Sequence, residues 1–119
     1  MADYKAPLRD IRFSLMEVLN YADHCETTPN CAEASPDIVD AILAESAKFC
    51  EQVLVPLNAI GDIEGCTLDN GQVSTPTGFK EAYQQYVEAG WPAMTHPESI
   101  GGQGLPPSLG TILSEMAGS

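Results

Sequence analysis

Gly101-Gly102-Gln103-Gly104 is the stretch whose composition first suggests chemistry. Three glycines in four residues can turn several backbone N–H groups toward a phosphate, provided that the run follows a strand and has a cation behind it. No strand signal precedes this run and no basic residue comes after it, so the sequence predicts a structural turn. His24-Cys25 with Cys31 offers metal-binding side chains, but five residues separate the two thiols. That is not the spacing of a zinc-ligand pair, and the second pair of a tetrahedral site is missing. His96 lies beside Thr95 and Glu98; without a nucleophile and a positioned base it reads as a surface or loop-bracing residue. Glu45, Glu51 and Glu64 fall on solvated helix faces and are assigned to solubility, not acid–base work. No residue of the chain is assigned a catalytic, cofactor-binding or metal-ligating role.

The charge balance narrows the partners further. Seventeen acidic side chains face five basic ones (Lys5, Arg9, Arg12, Lys48 and Lys80), giving a net charge of -12. Three of those five lie in the first twelve residues, which leaves little cationic surface for a nucleic-acid backbone, an anionic membrane or the phosphates of a nucleotide. Nucleic acid is excluded as a partner on this ground. No run approaches about 18 apolar residues, the length a membrane span needs, and the start lacks the apolar core of a secretory signal. The sequence therefore predicts a cytoplasmic protein with reduced thiols at Cys25, Cys31, Cys50 and Cys66.

At 119 residues there is room for one small domain. The elements expected to position these groups are mostly helical. Residues 8–22 permit either an extended start or a short helix ending at Asn20-Tyr21; extended chain to about Phe13 followed by a helix is the preferred reading. Residues 24–34, polar and without period, are expected to form a surface loop. Ser35 as N-cap, Pro36 at the first helical position and Asp37 in the first turn open the longest helix. Its apolar stripe is expected at Ile38, Ile42, Phe49, Val53, Leu57 and Ile60, flanked by Val39, Leu43, Cys50 and Leu54. Pro56 should bend it, and it should close between Gly61 and Gly65. Asp69-Asn70-Gly71 marks a hairpin or tight loop within residues 66–76. A helix with Phe79, Ala82, Tyr83, Tyr86 and Val87 on one face ends at Gly90. A shaped loop of Gly and Pro follows, and a last helix opens after Pro107-Ser108 with Leu109, Ile112, Leu113 and Met116 on its apolar face.

This order of parts resembles the start of the acyl-CoA dehydrogenase family, in particular a long branch that includes the methylmercaptopropionyl-CoA dehydrogenases. The residues that carry the resemblance are Val53-Leu54-Val55-Pro56 with Asp62 and Gly65, the helix end Gly90-Trp91-Pro92, and Pro97-Glu98 before Gly101-Gly102-Gln103-Gly104-Leu105-Pro106. The opening from Tyr4 to Phe13 matches the branch's extension. The resemblance implies an all-α fold, the N-terminal helical domain of acyl-CoA dehydrogenase type, truncated, with one small hairpin or loop near 66–76. It divides into an extension and loop at 1–34 and a partial helical domain at 35–119.

In the family this portion precedes a β domain and a second helical domain, which hold FAD, grip the acyl-CoA and supply the glutamate that removes the α-proton. The resemblance thus implies an FAD-dependent oxidation of an acyl-CoA between Cα and Cβ in the intact parent, with no flavin and no activity expected in this chain alone. The loop at 101–104 leads in the family to a helix beside the acyl chain, so at most an indirect part in shaping substrate access carries over. Tyr83, Tyr86 and Trp91 are expected in the core or in domain contacts, not stacked on a flavin. The alternative is a stand-alone, non-catalytic helical module that pairs with itself or with a separate flavin-binding chain. Three short helices cannot all bury their apolar faces against one another, so self-association is expected, centred on the last helix and weakened by Leu113→Glu.

Overall fold

Ser35 does what its position suggests: its hydroxyl accepts a hydrogen bond from the Ile38 N–H at 3.4 Å, and Pro36 opens the helix behind it. In the computed structural model, which describes residues 4–31 and 33–119, this helix, α3 (Pro36–Phe49), is the backbone of the fold. It runs through a π-helical segment, Cys50–Leu54, into α4 (Val55–Glu64). The π turn lies immediately before Pro56. A proline lacks the N–H for the ladder and its ring collides with the carbonyl four residues back, and widening the preceding turn relieves both problems. The expected irregularity at Pro56 and the expected close near Gly65 are both present.

Ahead of α3 the chain is more helical than its sequence suggests. The described part of the segment expected to be extended is helix from Leu8 onward, as α1 (Leu8–Arg12) and a π-helical continuation Phe13–Val18. The first three residues lie outside the described residues. Leu8, Ile11 and Leu15 have helical spacing, and all three pack into the core, which overrides the extended reading. Asn20 in the left-handed region breaks the helix, and α2 (Tyr21–Thr27) begins at once. The stretch expected as surface loop is corrected in two ways: His24–Thr27 is helical, and Cys25, Cys31 and Ala34 are buried.

After α4 come β1 (Thr67–Asp69) and β2 (Gln72–Ser74), an antiparallel hairpin in which Asp69 pairs with Gln72 across the two-residue turn. Both turn residues, Asn70 and Gly71, have positive φ, as this type of hairpin requires. Then follow α5 (Phe79–Glu88), two 3-10 turns (Trp91–Ala93 and Glu98–Ile100), and α6 (Pro107–Gly118).

The main core gathers Leu15, Tyr21, Cys25, Cys31 and Ala34 with Val39, Leu43, Met94, Leu105, Leu109 and Leu113. Residues on both sides of position 35 therefore share one core. A smaller cluster of Ala47, Cys50 and Met116 extends it. On α3 the buried positions are Val39, Leu43, Ser46 and Ala47, whereas Ile38 is exposed, so the buried stripe is centred on the residues expected at its flank. The unfinished apolar face expected on α6 is also corrected. Leu109, Leu113 and Met116 are fully covered, because α3 and the Met94 and Leu105 side chains of the preceding loop pack on them. Leu113→Glu would therefore place a carboxylate in the core and could not report on self-association. Among the described residues, no helix is long and apolar enough to cross a membrane.

Candidate functional site

The loop between α5 and α6 is built by its own backbone. Gly90, in the left-handed region, ends α5 and turns the chain toward Trp91. From there the N–H groups point inward: Gly101 to the Glu98 carbonyl at 3.0 Å, Gly102 to Pro97 at 3.0 Å, Gln103 to Ala93 at 3.1 Å, Gly104 to His96 at 2.9 Å and Leu105 to Met94 at 3.1 Å. A phosphate cradle needs those donors free. All four residues of the Gly-Gly-x-Gly run have already used theirs, so the run is a structural turn. Gly102 passes so close to the His96 backbone that a Cβ would overlap its carbonyl. Thus His96 serves the loop through its main chain while its side chain stays exposed.

The other singled-out residues are distributed rather than assembled. His24 packs its ring against Tyr21, with centroids 6.0 Å apart, and its Nδ1 meets the Thr28 hydroxyl at 3.4 Å. Cys25 and Cys31 are buried free thiols, and burial pushes the Cys25 thiol up, with the neighbouring Tyr21 acting in the opposite sense. Among the described residues, no group of three His, Cys, Asp or Glu side chains is placed to hold a metal ion.

The carboxylates assigned to solubility include two structural ones. Glu51 accepts the Ala6 N–H at 2.9 Å and pairs with Lys5 at 3.2 Å, pinning the N-terminal segment to the π turn. The Ala6 N–H bond holds its carboxyl below the usual range, against the opposing effect of burial and with further help from Lys5. Glu64 accepts the Thr77 N–H at 2.8 Å and ties α4 to the start of α5. Such a carboxylate looks like any other solvated acid in sequence; only the distant backbone donor distinguishes it. Arg12 pairs with Asp40 at 2.5 Å, so two of the five cations are committed to intramolecular partners.

Two concavities stand out among the described residues. One, about 430 Å³, is bordered by Trp91, Met94, Thr95, Gly110 and Leu113 where the loop meets α6. The indole N–H of Trp91 is buried nearby without a hydrogen-bond partner. The other is an open groove of about 1080 Å³ between the π turn and α4 on one side and α5 and the end of α6 on the other. Its wall carries Phe49, Tyr86 and Tyr83 in a tilted row, with successive ring centroids 6.0 and 6.4 Å apart. Tyr86 is half-buried and packs on the core with Trp91, as expected for both, but Tyr83 is exposed. Tyr4 borders the groove with its hydroxyl buried and unpartnered, and burial raises its pKa.

The amides of the Gly-Gly-x-Gly run are consumed within the loop, and the carboxylate–cation pair that borders the open groove, Glu51 with Lys5, is the one that anchors Ala6.

No family model matches the sequence. Individual relatives do. The chain is 40% identical over 116 residues to 3-methylmercaptopropionyl-CoA dehydrogenase of Ruegeria pomeroyi, a match that takes in 98% of this chain and 20% of the relative. The chain fits an N-terminal segment of the acyl-CoA dehydrogenase family. Butyryl-CoA dehydrogenase of Syntrophomonas wolfei is 34% identical over 91 residues, 74% of this chain and 15% of the relative. A broad-specificity linear acyl-CoA dehydrogenase of Mycobacterium tuberculosis is 27% identical over 117 residues, 97% of this chain and 19% of its own length. The chain thus spans about a fifth of the length of the acyl-CoA dehydrogenases it matches.

Proposed function

We propose that this chain is the N-terminal helical portion of an FAD-dependent acyl-CoA dehydrogenase that, when whole, oxidises an acyl-CoA thioester between Cα and Cβ. The observation that carries the reading is the extent of the match: nearly the entire chain aligns with one fifth of such an enzyme. Residues 1–34 form the extension and 35–119 the partial helical domain. FAD, the acyl-CoA and the α-proton base belong to the remainder of the protein, and the whole protein is cytoplasmic. When bound, the flavin would accept the hydride; nothing in this chain takes part in that step. What these residues contribute is shape. The loop 91–106 fixes the start of α6 and leaves the hollow beside Trp91, which suits an indirect part in setting access for an acyl chain. Exposed apolar faces would meet either a second copy or another helical surface.

Purified alone, the chain should be colourless and inactive, because the pyrophosphate donors and stacking walls of a flavin site are not assembled in it. An absorbance scan after gel filtration tests this, and stoichiometric flavin retained on the chain would sink it. The coding frame beyond codon 119 provides the second test. Continuation into a β domain is expected, whereas an immediate stop codon would favour the non-catalytic module, for which the uncovered face of α4 and α5 is the supporting observation.

A further inference from the structure

Asn70 is followed by glycine, whereas Asn20, Asn30 and Asn58 precede Tyr21, Cys31 and Ala59. An asparagine side chain and the next backbone nitrogen can close a five-membered ring. A Cβ on the following residue obstructs that closure, and glycine leaves it open. Positive φ does not set Asn70 apart, since Asn20 and Asn30 share it. Its surroundings do. Asn70 and Gly71 are exposed, a Cβ on Gly71 would meet nothing within 4 Å, and no residue of β1 or β2 is buried. The cross-strand partners Leu68 and Val73 are 74% and 69% exposed, so neither face of the hairpin is covered.

Two effects compete at this turn. While it is closed, the backbone of both residues is fixed, with φ of 48° at Asn70 and 76° at Gly71, which restricts the approach of the Gly71 nitrogen to the Asn70 side chain. A lone two-stranded hairpin is only marginally stable, however, and segments with few buried apolar contacts open at little cost in free energy. Opening therefore slows the ring closure only modestly. It also stays local: at the base of the hairpin Glu64 accepts the Thr77 N–H at 2.8 Å and the Leu57 side chain lies against Gly78, so α4 and the start of α5 remain joined.

We propose that Asn70 is a site of spontaneous covalent modification, at which the uncovered hairpin lets the side-chain amide convert to aspartate and isoaspartate without an enzyme. The Gly71 nitrogen gives its proton to solvent base and attacks Cγ of Asn70; the Cγ–Nδ2 bond breaks and Nδ2 leaves as ammonia. Water then opens the succinimide at either carbonyl. Attack at Cγ gives aspartate, and attack at the main-chain carbonyl carbon gives isoaspartate, whose main chain runs through Cβ and Cγ. Either way an amide and a water become an acid and an ammonia, with no oxidant or reductant, and the net charge of -12 gains one further negative charge. Isoaspartate lengthens the main chain of a two-residue turn by one carbon, so Asp69 and Gln72 can no longer pair across it. Its free carboxylate is then open to methyltransferases that use S-adenosylmethionine to mark isoaspartyl residues. This chemistry needs only the hairpin, so it stands or falls separately from the flavoprotein reading.

The test holds the 119-residue chain in mildly alkaline buffer, folded or in urea, and follows Asn20, Asn30, Asn58 and Asn70 by peptide mapping with electron-transfer fragmentation, which separates aspartate from isoaspartate. The folded chain should lose the Asn70 amide first, with isoaspartate in the product, and no more than about tenfold more slowly than the chain in urea. An isoaspartyl methyltransferase with labelled S-adenosylmethionine should mark the aged chain and not the fresh one, while circular dichroism keeps its helical signal. Gly71→Ala strains the turn at φ of 76° yet places a Cβ beside the closing ring, and should slow the loss at least about tenfold. If opening of the turn alone governed the reaction, that variant would react faster. Retention of Asn70 in the folded chain while the chain in urea loses it, loss spread evenly over the four asparagines, aspartate without isoaspartate, helix lost before the amide, or an unslowed Gly71→Ala would each overturn the proposal.

Discussion

The two ends of the long helix occupy different worlds. α3 has Val39, Leu43, Ser46 and Ala47 sealed against α1, α6 and the loop, whereas α4, with Leu57, Ile60 and Ile63 along it, buries none of its residues. Both segments have the helical apolar pattern. The difference lies in what reaches them: α3 finds neighbours from both ends of the chain, whereas α4 meets Thr77, Gly78 and Phe79 at the start of α5. An amphipathic stripe therefore predicts that a cover is needed, without saying whether the same chain supplies it.

The sharpest way to break this contrast is to truncate side chains on each side. Leu43→Ala or Leu109→Ala, both 1% exposed, should cost about 2–5 kcal/mol. Ile63→Ala, at 84% exposure, should stay within about 0.5 kcal/mol. Urea unfolding reads both, and equal losses would erase the distinction. Gly102→Ala comes next. Its methyl must displace the His96 carbonyl, with an expected cost of about 1–3 kcal/mol and faster hydrogen exchange at the Gln103, Gly104 and Leu105 amides, which the loop now holds.

Alkali should act on the covered half first. Burial raises the pKa of Cys50, Cys25, Tyr21 and Tyr4, and a hydrogen bond to Ser108 opposes the effect at Tyr21. Each group is held protonated in the fold, so the stability this represents is intact below the unfolded-state values and is lost as the pH rises through the folded ones. Thermal midpoints should start to fall above the ordinary thiol value of 9.0, and Cys50→Ser with Cys25→Ser should blunt the onset. A flat profile through that range would count against buried, protonated thiols. The smallest effect belongs to Glu51. Its carboxyl is held low by the Ala6 N–H and Lys5, so this tie persists at neutral pH and loosens only as the pH falls through the lowered value. Glu51→Ala should leave the melting temperature nearly unchanged and deprotect the Ala6 amide in hydrogen exchange; protection that survives would remove Glu51 as the anchor.

Features written in local chemistry could be read from the sequence. Ser35-Pro36-Asp37, Pro56, Asn70-Gly71 and Gly90 each act within a turn of the chain, and each lies where the sequence places it. The misreadings share another origin. Leu8–Val18 is helical because Leu15 and its neighbours meet α3 and the end of the chain, and Cys25, Cys31 and Ala34 are buried by residues far along the sequence. The α6 face looked unfinished because its cover, Met94 and Leu105, comes from a loop whose path has no periodicity to read. At the candidate site, the Gly-Gly-x-Gly turn was legible from the missing strand and cation. The tasks of Glu51 and Glu64 were not, since nothing local reveals a backbone donor 45 or 13 residues away.

The π turn at Cys50–Leu54 does more than make room for Pro56. A wider turn adds in effect one residue to the helix, and one residue corresponds to about 100° of rotation around the axis. The covered line through Val39, Leu43, Ser46, Ala47 and Cys50 would, in an unbroken helix, continue through Leu54 and Leu57. After the insertion that azimuth falls to Asn58 and Asp62, and the apolar line of α4 swings to another compass bearing. A single rod can thus serve two bodies at once, gripping its own core with one end and presenting a differently aimed edge with the other.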